Sequence, residues 1–404
     1  MDKGAPWAAL RSGKFPLLFA ARTVSQWGDT FNTVAIVILV YRLSGSGLSV
    51  AITVVFEIVP VISFGFVAGM VVDRAPRIAV MVAADLARAA IATLLAIFGH
   101  QLWVVYVAAF SMSACTVFFN PAASSVLPAV VGKENLLSAN SVIWSTAVAS
   151  QVILAPLAGV LVATSGAGVA FGINAASFVI SALFLARIRI DRVRNLPTDS
   201  WFGEITEGLS YVRSSRLLTT LGFVQGLAAL SAGATSALLI VLAERRLHLG
   251  GARFGDLLAA IGIGAGIGPL ILSRFARNAD YPVFLFVPYL LRGLVDLSLA
   301  TFASFAGALV SLGAYGIGTS IGNVMFNSTL QKVVPDDRRG RVFVFYDILW
   351  QTARLASLGL GGILADTVGI RAVYYLGAIL LITAAIIGLT RLRRHDLGPL
   401  YPDQ

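Results

Sequence analysis

Apolar stretches follow one another along almost the whole chain, separated by short polar or basic segments. Each stretch is close to the roughly 20 residues that a helix needs to cross the hydrocarbon of a bilayer. Twelve can be drawn: 16–41, 48–72, 78–98, 102–126, 139–163 and 168–187, then 217–243, 255–276, 282–302, 304–328, 342–364 and 370–391. The longest break, Ile188 to Ser215, lies in the middle and carries Arg189, Arg192, Arg194 and Arg213. Its second part, Trp201 to Val212, reads as an amphipathic helix lying on a membrane surface. The pattern predicts an all-α integral membrane protein: residues 1–187 form an N-terminal six-helix bundle, 188–215 a linker, and 216–404 a C-terminal six-helix bundle.

The two halves repeat each other. Phe119-Asn120, seven residues, then Pro128 recurs as Phe326-Asn327, seven residues, then Pro335. Asp73-Arg74-Ala75-Pro76-Arg77 aligns with Ser273-Arg274-Phe275-Ala276-Arg277, and Arg88 aligns roughly with Arg292. Gly159 and Gly166 are matched by Gly362 and Gly369. Two parallel halves with an even number of crossings each are a known way to build a transporter.

Composition narrows the class. Charged residues are 12% of the chain and apolar residues 57%, against about 25% charged in a typical soluble domain. The formal charge of +10 could suggest nucleic acid, but the arginines sit in short segments between apolar runs, which is a membrane-topology pattern. With the N-terminus inside, most Lys and Arg fall on the cytoplasmic side. Arg42, Arg245, Arg246, Arg253 and Arg371 fall outside, so both termini are expected in the cytoplasm. The apolar segment after Lys3, Arg11 and Lys14 is too long for a signal-peptide core and reads as an uncleaved first span. Cys115 is the one cysteine. With His100, His248 and His395 scattered, no disulfide and no metal site are expected. No Gly-x-x-x-x-Gly-Lys-Ser/Thr phosphate loop occurs, so no nucleotide or other cofactor is expected.

Several motifs carry a resemblance. Gly69-Met70-Val71-Val72-Asp73-Arg74-Ala75-Pro76-Arg77 resembles the signature loop of the major facilitator superfamily, although Pro76 stands where that family usually has glycine. In that loop glycine allows close helix approach, the aspartate accepts hydrogen bonds near a helix N-terminus, and the arginines hold one side closed. Gly69, Asp73, Arg74 and Arg77 are therefore the expected gating residues, and Ser273 leaves the second copy without its carboxylate. Ala155-Pro156-Leu157-Ala158-Gly159 resembles a degraded form of the Gly-Pro-x-x-Gly stretch of the superfamily's antiporters, with Pro156 and Gly159 as a kink and packing motif. Gln26-Trp27-Gly28-Asp29, Glu57 with Pro60, Asp85 to Arg88, and Gln331 to Arg341 are similar to the bacterial macrolide-efflux-like and enterobactin-exporter-like group. The resemblance covers essentially the whole chain. It implies two six-helix bundles around a cavity opened alternately to each side, driven by a proton gradient.

Ionisable residues inside spans are expensive and are functional candidates by default. Five carboxylates qualify as proton-coupling candidates: Asp29, Glu57, Asp85, Asp296 and Asp347. Four cations accompany them: Arg22, Arg88, Arg292 and Arg354. Asp85 and Arg88 are spaced i,i+3 and Arg292 and Asp296 i,i+4, so each pair can close on one helix face. Asp29 and Glu57 have no cation within a turn of their own helix, which makes them the sharper proton-site candidates. Hydrogen bonds to Gln26, Asn32 or Thr33, or a salt bridge from Arg22, would make them structural instead.

The superfamily arrangement places Trp27, Phe31, Phe119, Asn120, Gln151, Gln225, Asn323, Phe326, Asn327 and Tyr346 toward the cavity. Aromatics with a few amides suit an amphipathic small molecule. The expected function is proton-coupled efflux of drug-like compounds by a monomer in the bacterial inner membrane, with membrane lipid and a small molecule as partners and no nucleic acid. A siderophore exporter and a lysophospholipid flippase stay open within the same fold. An enzyme would need a catalytic or metal constellation at a membrane face, and a receptor an appended soluble domain; neither is found.

Overall fold

The computed structural model describes residues 13–132, 135–189, 209–275 and 281–392, and all regular structure in them is helical. The helices are α1 Phe15–Ser44, α2 Gly47–Arg74, α3 Arg77–Phe98, α4 Leu102–Val131, α5 Leu136–Ser165 and α6 Ala167–Ala186, then α7 Arg216–Ala237, α8 Leu239–Arg245, α9 Gly251–Phe275, α10 Tyr281–Thr301, α11 Phe305–Val333, α12 Asp336–Thr367 and α13 Ile370–Arg391. Eleven helices among the described residues are long and apolar enough to cross a membrane. The first, α1, is 30 residues long but is not one of the eleven; Arg22, Gln26, Asp29 and Asn32 dilute its apolar run. The seventh stretch, expected as one span over 217–243, is broken at Leu238 into α7 and the short α8. The surface helix expected from Trp201 falls largely outside the described residues; 209–214 is helical.

Local chemistry explains the ends. Pro16 opens α1, and Gly45 closes it in the left-handed conformation at φ 63°, its N–H bonded to Tyr41 O at 2.8 Å. Gly166 and Gly369, paired by the repeat, both adopt positive φ, 84° and 113°, at the turns into α6 and α13. That shared backbone need explains why glycine recurs there. The prolines of the Phe-Asn repeat behave differently. Pro128 lies inside α4, whereas Pro335 sits between α11 and α12 as the residue preceding Asp336.

The chain divides into two compact units. Unit 1 comprises Met1–Gly45, Ile52–Pro197 and Gly250–Ala259; unit 2 comprises Ser46–Ala51, Thr198–Leu249 and Ala260–Gln404. These differ from a simple cut at the linker in two places: the first turn of α2 belongs to unit 2, and the first turns of α9 belong to unit 1. In unit 1, α6 packs on α1 and α3, and α3 on α4; in unit 2, α13 packs on α7 and α10, and α10 on α11. The packing pattern therefore repeats with the sequence. Phe15, Leu18, Met81, Leu127 and Leu185 anchor the core of unit 1, and Leu218, Phe286, Met325, Leu330 and Leu381 that of unit 2. Leu94, Ile97, Trp103, Leu157, Leu183, Leu270, Val310, Leu360 and Ile379 are exposed, as expected of helices whose outer faces meet lipid rather than water.

Candidate functional site

In unit 1 the polar chemistry gathers along α1, α3 and α6. Gly28 brings α1 hard against α6: a Cβ there would stand 2.0 Å from Ser177 Oγ and 2.5 Å from Asn174 Oδ1. With Gly28 buried, Gln26 and Trp27 are exposed and Asp29 is half-buried. Thr33 donates to the Asp29 backbone carbonyl at 2.8 Å and Thr30 to that of Gln26 at 2.9 Å, so neither hydroxyl serves the Asp29 carboxylate. No salt bridge links Arg22 and Asp29.

Asp85 and Arg88 do close as a pair, Arg88 Nη2 donating to Asp85 Oδ1. Ser181 of α6 donates to the other oxygen, Oδ2, at 2.6 Å. The guanidinium lies between two rings, 4.5 Å from the centroid of Phe119 and 4.4 Å from that of Phe178. Asp85 is 0% and Arg88 3% exposed, so the pair is a sealed strut joining α3, α4 and α6. Both carboxylate oxygens are engaged, and the charge is matched within one helix turn.

Unit 2 holds the repeat counterpart in different form. Among the described residues no ion pair joins Arg292 to Asp296, although their i,i+4 spacing allowed one. Arg292 Nη2 donates to the Tyr315 hydroxyl at 3.1 Å and its guanidinium lies 4.9 Å from that ring's centroid. Asp296 accepts from Ser231 Oγ of α7 at 3.2 Å. Gly377 of α13 allows this approach, since a Cβ there would stand 2.8 Å from Asp296 Oδ2. Tyr289 donates to Gln225 Oε1 at 3.2 Å, and Tyr374 to the Thr235 carbonyl at 2.8 Å. Partners on neighbouring helices thus replace the same-helix pair.

The residues expected to line a cavity divide by exposure. Trp27, Asn120, Asn323 and Asn327 are exposed, and Phe31 and Gln151 are half-buried. Phe119, Gln225, Phe326 and Tyr346 are buried in the cores of their own units. Phe119 faces Arg88; Phe326 and Tyr346 pack edge to face at 5.1 Å, and Tyr346 donates to Leu218 O at 2.6 Å. Of the remaining intramembrane charges, Glu57 and Arg354 are half-buried and Asp347 is exposed.

The signature loop is two residues long. α2 ends at Arg74 and Pro76 precedes Arg77 with extended geometry, φ −62° and ψ 112°. Proline therefore fits where the family has glycine, because the position just before a helix needs no N–H. Arg77 Nη1 donates to the Ser125 carbonyl of α4 at 3.2 Å, tying the loop to the end of that helix. Arg74 is exposed, and nothing lies within 4 Å of a Cβ placed at Gly69. The Asp73 side chain lies outside what the structure describes. The Pro156 motif is packed on α9: Cβ atoms at Gly159 and Gly255 would meet the Ala252 carbonyl at 2.7 Å and the Ala155 carbonyl at 2.0 Å.

Two helical units, buried charges held by ion pairs and hydrogen bonds, and eleven apolar helices long enough to cross a membrane among the described residues mark a protein that spans the bilayer many times. The transmembrane secretion effector family of the major facilitator superfamily matches residues 4–401, and the chain belongs to that family, whose members are transporters and not enzymes. Among its relatives, an uncharacterized MFS-type transporter, YfiS, of Bacillus subtilis is 28% identical across 92% of this chain and 91% of its own. Macrolide efflux protein A of Streptococcus pyogenes is 24% identical across 95% and 98%. Enterobactin exporter EntS of Salmonella typhi is 25% identical across 77% and 73%. A bacterial homologue of the iron transporter ferroportin, solved in an inward-facing state, superposes with a TM-score of 0.74 at 16% identity, covering 95% of this chain and 99% of its own. At that identity the likeness concerns the fold alone.

Proposed function

We propose that this protein is a proton-coupled exporter of amphipathic small molecules, working as a monomer by alternating access. In this reading it has twelve spans in two six-helix bundles, sits in a bacterial inner membrane with both termini cytoplasmic, and uses the proton gradient instead of a cofactor. The observation that carries the reading is the setting of Asp29. Gly28 locks α1 to α6, so Asp29 is held beside exposed Gln26 and Trp27, with no cation at ion-pair distance among the described residues. An amide, an aromatic and an ionisable carboxylate within one helical turn, at Gln26, Trp27 and Asp29, can hold a substrate and a proton in competition. Glu57 is the second coupling residue of this reading. The macrolide-efflux relative, matched along nearly its full length, supports drug-like cargo; the enterobactin exporter supports a siderophore as the second reading.

Adding lipophilic cations, macrolides or catechol siderophores to the detergent-solubilised protein in weak buffer tests both. Proton release on binding, lost in Asp29→Asn or Glu57→Gln while binding persists, is the expected result, and the class of compound that elicits it distinguishes the two cargoes. Binding with no proton release would sink the coupling. A response confined to lysophospholipid would replace export with lipid flipping. A further expectation concerns the signature loop: Asp73→Asn, which removes the loop's one carboxylate charge, should lower transport about tenfold or more at unchanged expression. Unchanged transport would remove the loop from the gate.

A further inference from the structure

The end of unit 2 that the linker enters is rich in arginine, and the arginines there differ in what they do. Val212, Leu217, Leu218, Val334 and Leu392 share one core cluster, which gathers the segment 209–216, the start of α12 and the end of α13 at that end. Arg339 donates to the Gln331 carbonyl at 2.7 Å and to the Val334 carbonyl at 3.3 Å, and the Arg338 guanidinium lies 5.1 Å from the centroid of the Tyr211 ring. Those two serve the fold. Arg213, Arg216 and Arg391 are exposed, and among the described residues no carboxylate pairs with any of them.

Packing brings these three to one place. α13 runs antiparallel to α7: Tyr374 donates to the Thr235 carbonyl at 2.8 Å, and the Arg391 guanidinium lies 5.8 Å from the centroid of the Phe223 ring. The last turn of α13 therefore lies beside the first turns of α7. Arg216 and Phe223 are two turns apart on one face of α7, and Phe223 is 56% exposed. Thr219 Oγ1 donates to the Val212 carbonyl at 3.0 Å, which holds the segment 209–214 against the start of α7, so Arg213 and Arg216 flank the turn at Ser215. Unit 1 is built differently. Lys14, just before α1, donates to the Arg189 carbonyl after α6, so the cation at the corresponding helix start is spent inside the unit.

We propose that Arg216 and Arg391, with Arg213, hold the phosphate of an anionic phospholipid whose acyl chains lie along Phe223. Three like charges gathered without a counter-charge repel one another, and a phosphate between them relieves that repulsion. Guanidinium groups offer paired N–H donors that match phosphate oxygens. Arginine side chains at a helix end reach along apolar surface to the headgroup level, and an exposed ring below them meets acyl chain rather than water. A zwitterionic lipid would bring its own cation toward the arginines, so the charge favours an anionic headgroup. The site depends on the chain spanning a bilayer and is independent of the cargo and of how its export is driven.

Phosphatidylglycerol is the probe. The detergent-solubilised protein is titrated with phosphatidylglycerol, with phosphatidylcholine of the same chains and with inorganic phosphate; bound lipid is counted by native mass spectrometry and thermal unfolding is followed alongside. Phosphatidylglycerol should be retained in preference to phosphatidylcholine and should raise the apparent Tm. Arg216→Gln and Arg391→Gln should each weaken that retention about fivefold, while Arg216→Lys combined with Arg391→Lys should keep most of it. Arg187→Gln removes the same charge from the exposed end of α6 in unit 1 and should leave retention unchanged. Equal retention of the two lipids, or an equal loss in Arg187→Gln, would reduce these arginines to signals of membrane topology and overturn the site. Equal stabilisation by inorganic phosphate would replace the lipid with a free anion and overturn it too. So would Gln variants that unfold well below the parent in phosphatidylcholine, since the arginines would then belong to the fold.

Discussion

Replacing Asp85 by alanine is expected to destabilise the protein by roughly 3–5 kcal/mol, because it strands the Arg88 guanidinium in the core. Arg88 is 3% exposed, and its cation has no water to turn to. The rings of Phe119 and Phe178 at 4.5 and 4.4 Å attract it, but a ring face contributes about 0.5–2 kcal/mol and does not replace a carboxylate. Thr116 Oγ1 at 3.5 Å is too distant to take over. Arg88→Ala does the reverse, leaving Asp85 with Ser181 alone at 2.6 Å and opening a gap between the rings. The double variant Asp85→Leu with Arg88→Met removes both charges and keeps most of the volume, so it should be closer to the parent than either single change. Thermal unfolding of the detergent-solubilised variants decides it: an apparent Tm more than about 5 °C lower for each single variant, and a double variant above both. Additive losses would mean the ion pair is not the strut described.

The same pair shows where sequence reasoning succeeds and where it stops. Asp85 and Arg88 lie one turn apart, so helical periodicity alone brings them together. Arg292 and Asp296 have a similar spacing, yet Tyr315 and Ser231, on other helices, take their partners' place. Spacing within a helix shows what can meet, and tertiary packing decides what does. The cavity expectations meet the same limit. Phe119, Gln225, Phe326 and Tyr346 sit on helices of the expected kind, but their faces turn into the cores of their own units. In a helix that is apolar nearly all round, the hydrophobic pattern does not mark which side faces inward. The backbone glycines were more readable: Gly166 and Gly369 recur because the same turn recurs.

A single methyl group is expected to have a large effect at Gly255. Alanine there would put its Cβ 2.0 Å from the Ala155 carbonyl oxygen, 2.5 Å from that carbonyl carbon and 2.6 Å from Pro156 Cα. All three are backbone atoms of α5, so no side chain can rotate away, and Pro156 further stiffens the helix. The two helices must separate or lose their local geometry, giving up contacts along the Ala155 to Gly159 stretch. Overpacking of this kind costs typically about 1–3 kcal/mol, and more when the obstacle is backbone. Gly172 on α6 gives the opposite sign. Nothing lies within 4 Å of a Cβ there, so Gly172→Ala should stabilise the helix by about 0.5–1 kcal/mol through the lower conformational freedom of the unfolded chain. Expression yield and thermal unfolding of the two variants side by side test the pair. Gly255→Ala should lose most of its folded protein while Gly172→Ala unfolds at or above the parent temperature. A tolerated Gly255→Ala would show that α5 and α9 do not need their backbones in contact, and the Pro156 and Gly159 motif would then be no more than a kink.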